Sequence, residues 1–78
     1  MKIQPQAIHS RREDGYDVQF EEMRGLVFVC RACRFHSEGG DARMVGFTAA
    51  IRHLEFHEEY DHRFDPAVME RLKTGRDS

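Results

Sequence analysis

Tryptophan is absent from this 78-residue chain, and lysine, cysteine and proline occur twice each. Long apolar stretches are missing too. The longest, Leu26-Val27-Phe28-Val29-Cys30, is five residues, against about 20 for a membrane-spanning helix, so no transmembrane segment is expected. Met1-Lys2-Ile3-Gln4-Pro5 has no apolar run of the signal-peptide kind, which gives export no support. No Ser/His/Asp set, phosphate-binding glycine loop or dinucleotide motif is present, and the expectation is that the protein is not an enzyme. The ten arginines that stand against two lysines hint at a GC-rich genome.

What remains is the composition of one small globular domain: 40% hydrophobic and 33% charged, with a net charge of −2. A chain this short buries only about 60% of its unfolded surface, so packing alone gives marginal stability and an added staple is to be looked for. The charge is uneven. Residues 1–23 carry a net −2, residues 24–52 a net +3, and residues 53–78 a net −3.

The pattern along the chain reads as α+β. Asp14-Gly15 lies between two strand-like runs, and residues 7–22 are expected to form a β-hairpin. Tyr16, Val18 and Phe20 alternate with Asp17, Gln19 and Glu21, an apolar face backed by an acidic one. Leu26 to Cys30, bounded by Gly25, reads as a third strand. Residues 34–46 hold Gly39-Gly40-Asp41 and no clean period, which is loop chemistry. From about Met44 the period becomes helical: Phe47, Ala50, Ile51 and Leu54 form one apolar stripe, and the helix is expected to reach about Arg63, before Asp65-Pro66. A short helix follows over 65–74, capped by Asp65 and ended by Gly75.

Two motifs carry chemistry. Cys30-Arg31-Ala32-Cys33 follows a strand, and His53-Leu54-Glu55-Phe56-His57 lies on the main helix. Histidines four apart stand about 40° from each other on one helical face. Two thiolates from a knuckle and two imidazoles from one helix make an N2S2 set suited to a single structural Zn2+. A redox dithiol is the competing use of Cys-x2-Cys, but those motifs sit at a helix start, whereas a loop follows Cys33. His36, just past Cys33, and His62, beyond His57, lie within ligating reach; on an ideal helix His62 is rotated about 140° from His57, which favours His53 with His57. Glu55 falls between the histidines, but His-x-Glu-x-His differs from the His-Glu-x-x-His of metalloproteases.

Through Cys30, Cys33, His53 and His57, with Phe28 two residues before the first cysteine, residues 28–57 resemble the Cys2His2 zinc fingers. The spacer of residues 34–52 is longer than the family's span of about 12, and Gly39-Gly40 provides a loop to absorb the difference. The resemblance implies a zinc-binding finger over 26–57, joined to the N-terminal hairpin and the C-terminal helix. It also implies that base-reading positions fall on Gly46, Ala49 and Arg52, of which only Arg52 suits a guanine.

Two functional classes follow. Arg24, Arg31, Arg34, Arg43 and Arg52 cluster in sequence around the knuckle and helix start, and Arg31, Arg34 and Arg52 are the candidates for nucleic-acid contact. Against this, Glu55, Glu58, Glu59 and Asp61 would repel a duplex. The favoured expectation is a protein-interaction module, or a small subunit of a larger assembly. Phe56, Tyr60 and Phe64 supply an aromatic stripe that is either packed on the rest of the chain or open to a partner. The size also resembles that of small zinc-finger-like proteins of actinobacterial and phage genomes. Retained thiolates suit a reducing compartment, and the cytoplasm is the expected location.

Overall fold

Phe20, Phe28 and Cys30 are almost wholly buried, and the strands that carry them form the middle of the structure. The structure is a computed structural model that describes residues 7–36 and 39–78. Strands β1 (Ala7–Ser10), β2 (Gln19–Met23), β3 (Val27–Arg31) and β4 (Ala42–Val45) make one antiparallel sheet in the order β1-β2-β3-β4. Helices α1 (Phe47–Glu59) and α2 (Pro66–Asp77) complete the α+β fold.

The N-terminal hairpin has shorter strands than the sequence suggests. Asp14 ends a single 3-10 turn over Arg12–Asp14 that Gly15 caps, and Tyr16 to Val18 precede β2. Ser10 closes this connection: its hydroxyl donates to the Val18 carbonyl at 2.7 Å and accepts from the Asp65 amide at 3.1 Å. The buried seryl oxygen thereby ties the hairpin to the start of α2. The acidic residues of β2 are less exposed than the alternation implies. Glu21 and Glu22 are both buried, Glu21 beneath Arg31 and Glu22 between His9 and Arg71. Each carboxylate has the cationic partner that a buried charge requires.

Residues 42–45, expected as loop, are strand β4. Ala42 pairs with Cys30 and Met44 with Phe28, and Met44 joins the core while Arg43 and Val45 face outward. Four residues are too few for alternation to stand out from Gly39-Gly40-Asp41. The strand is specified by its partner β3 rather than by its own pattern.

Gly46 separates β4 from α1 with φ +89° and ψ 159°, a conformation reserved in practice for glycine. The expected stripe is buried along α1: Ala50, Ile51 and Leu54 are at most 3% exposed, and His57 continues it at 1%. The helix ends at Glu59 rather than near Arg63. Asp61 takes a left-handed φ of +59°, which aspartate tolerates better than most residues. Asp65 caps α2 as expected, accepting from the Ala67 amide at 2.9 Å with Pro66 in the first turn. Gly75, however, lies inside α2. A Cβ there would clash with the Phe47 ring, so this glycine allows the close approach of α2 to the start of α1. In the core Phe20 stacks on Phe28 and Phe47 lies tilted against Phe28, with centroid separations of 5.9 and 5.7 Å, and Val68 and Leu72 of α2 join the same cluster.

Candidate metal centre

Cys30 stands near the end of β3, and the chain then turns sharply at Ala32, whose φ of +45° is left-handed. A residue with a Cβ resists that conformation, and the surroundings hold it. The Ala32 amide donates to Asp41 Oδ1 at 2.8 Å, and Arg12 Nη2 donates to the carbonyls of Ala32 and Arg31 at 2.7 and 3.3 Å. Arg12 also donates through Nε to the Asp17 carbonyl at 3.1 Å, and the Cys33 amide donates to Gly40 at 2.9 Å. The knuckle thus presents both sulfurs to the same side, toward α1.

His53 and His57 meet them there. His57 Nε2 is 3.5 Å from Cys30 Sγ, 3.6 Å from Cys33 Sγ and 3.1 Å from His53 Nε2, and Cys33 Sγ is 3.5 Å from His53 Nε2. All four ligand atoms lie within 4.8 Å of one another. A tetrahedral ion with bonds of about 2.3 Å to sulfur and about 2.0–2.1 Å to nitrogen has S···N edges of about 3.6 Å and an N···N edge of about 3.3 Å. The observed separations match those edges. Cys30, Cys33 and His57 are buried and His53 partly so.

The electrostatics suit the same occupant. Burial, reinforced by the neighbouring Cys33, pushes the Cys30 thiol well above its ordinary range. Burial, with His53 and His62 nearby, lowers His57 to about 4, and burial also lowers His53. Both imidazoles are therefore neutral near pH 7, as ligands must be, while Cys30 keeps its proton unless a cation replaces it. The group can hold a metal ion, and its donors are those of a Cys2His2 site.

Of the other candidate ligands, His36 is exposed and outside the cluster. His62 is close to it but on the far side of His57: the two Nδ1 atoms are 2.9 Å apart. The helix break at Asp61 replaces the straight-helix geometry on which the 140° rotation was reckoned. Glu55 is exposed on α1.

The arginines divide. Arg31 grips Glu21 through Nε and Nη2 at 3.0 and 3.3 Å and Asp41 through Nη1 at 2.9 Å. Arg34 reaches Asp17 at 3.3 Å. Arg52 is exposed on α1 and makes no ion pair among the described residues. The structure therefore does not bring the three together as one free basic surface. Sequence reasoning overlooked Arg12, Asp41 and Phe35, whose ring lies 4.4 Å from that of His57. Asp41 and Arg12 act across 9 and 20 residues respectively, so no local spacing marks them.

From β3 through the knuckle and β4 to α1, the elements run in the ββα order of a zinc finger. No family model, curated protein or solved structure matches the chain.

Proposed function

We propose that this protein is a non-catalytic interaction module whose fold is held by one structural zinc ion on Cys30, Cys33, His53 and His57. The observation that carries this reading is the set of four donors, four of whose six spacings match the edges of a zinc tetrahedron. Four protein ligands fill such a site and leave no position for a substrate or a reactive water. The ion joins β3 to α1, and structural zinc is worth about 10–16 kcal/mol of apparent binding free energy in finger peptides, more than a core of this size supplies. Thiolate ligands point to a reducing compartment such as the cytoplasm. No helix among the described residues is long and apolar enough to cross a membrane.

Support for a protein partner comes from the surface. Phe56 and Tyr60 are 45% and 57% exposed, Phe56 stacked on Phe35 and Tyr60 edge-on to it, whereas Phe64 packs against the core. A separate groove is lined by Tyr16, Phe64, Pro66 and Met69, together with the acids Glu58, Asp61, Glu70 and Asp77 and the cations Arg63 and Lys73. That charge balance suits a partner with basic and apolar side chains and opposes a polyanion. Arg31 and Arg34 each pair with carboxylates, which lowers the net positive charge they offer a phosphate.

The test is chelation. Stripping the metal with EDTA is expected to abolish most of the helical circular dichroism, and zinc to restore it. Full helicity after verified metal removal would overturn the structural role.

A further inference from the structure

We infer that His62 is a positioning residue of the metal centre: it accepts the Nδ1 proton of His57 and so fixes the tautomer and ring orientation that aim His57 Nε2 at the ion. The inference rests on the zinc reading above and assigns a role to a histidine that is not among the four ligands.

The two nitrogens of His57 face different neighbours. Nε2 faces both sulfurs and His53, so it is the ligand atom. A neutral imidazole carries one proton, and with Nε2 committed to the ion that proton is on Nδ1. His57 is 1% exposed, so bulk water does not reach this N–H, and a buried donor needs a partner. The partner is His62 Nδ1 at 2.9 Å. To accept, His62 carries its own proton on Nε2.

The backbone builds the contact. With Asp61 left-handed, the chain folds back at the end of α1, and the His62 amide donates to the His57 carbonyl at 2.9 Å. A continuous helix would carry His62 round to another face. Phe35 then covers the pair, with its centroid 4.4 Å from His57 and 5.2 Å from His62 at interplanar angles of 34° and 31°. Both imidazoles lie against one phenyl ring, which restricts their rotation. His62 is excluded as a fifth or exchanged ligand in this arrangement, because it meets the edge of His57 opposite the sulfurs.

Such outer partners fix the tautomer of a ligating histidine and raise its basicity, and their removal costs about 10–100-fold in metal affinity. The experiment is a competition titration with zinc on the full chain, comparing wild type, His62→Ala, His62→Gln and, as a control, His36→Ala. All are expected to bind one zinc. His62→Ala is expected to bind about 10–100-fold more weakly. His62→Gln, whose side-chain oxygen can accept the same proton, is expected to recover most of the loss, and His36→Ala to match wild type. Equal affinity in His62→Ala, or no recovery in His62→Gln, would overturn the positioning role while leaving the zinc site standing. Failure of the wild type to bind zinc would overturn both. Should His62→Ala fail to fold, nitrogen NMR of the zinc-loaded wild type decides. A through-bond coupling between the Nδ1 atoms of His57 and His62 is expected, and an Nδ1-bound ion on His57 would contradict it.

Discussion

Arg12 makes three hydrogen bonds to carbonyl oxygens, two of them in the Cys30–Cys33 knuckle. With Asp41 on the Ala32 amide, it holds a left-handed alanine in place between the two cysteines. The cysteines and histidines themselves were legible in the sequence, because each pair is a short-range spacing with a direct geometric meaning. Their supports were not, since Arg12, Asp41 and His62 reach the site only after the hairpin, the β3–β4 connection and the break in α1 have formed. Substituting Arg12 tests this scale. Hydrogen bonds from a charged donor are worth about 1.5–3 kcal/mol, and Arg12 is only partly buried, so Arg12→Ala is expected to cost about 2 kcal/mol in urea unfolding of the zinc-loaded protein. An unchanged midpoint would show that the knuckle keeps its shape without the guanidinium.

Elements whose identity rests on a long period were readable, and those set by neighbours were not. The stripe Phe47, Ala50, Ile51 and Leu54 specified α1, and Asp65-Pro66 specified the start of α2. Strand β4 is four residues long and exists through its register with β3. The end of α1 depends on a left-handed aspartate, for which the sequence carries no distinctive signal. Gly75 misled for a physical reason: a glycine near a helix end usually terminates it, but this one is kept for the approach of Phe47. Gly75→Ala follows as a discriminating change. Helix propensity alone would make it stabilising by about 1 kcal/mol. An added Cβ would clash with the Phe47 ring and force a shift, and overpacking of this kind costs about 1–3 kcal/mol. A net loss of about 1 kcal/mol in thermal or urea unfolding is expected. A gain would mean that Phe47 swings aside freely.

At the scale of the molecule, the candidate site draws Cys30 from β3, Cys33 from the knuckle after it and two histidines from α1, so it joins the two layers at one point. The opposite end of that helix layer is held by packing, with Val68 and Leu72 in the core and Arg71 both on Glu22 and over the Phe47 ring at 5.3 Å. The α+β class followed from the sequence because strand and helix periods occupy separate halves of the chain. That every described buried side-chain nitrogen or oxygen has a partner did not follow from it, since those pairings cross the fold. Zinc K-edge X-ray absorption of the purified full chain tests the central claim most directly. The expected result is one zinc per chain with two sulfurs at about 2.3 Å and two imidazole nitrogens at about 2.0–2.1 Å. A protein that carries no zinc and takes none up, or a shell of oxygen and nitrogen without sulfur, would contradict it.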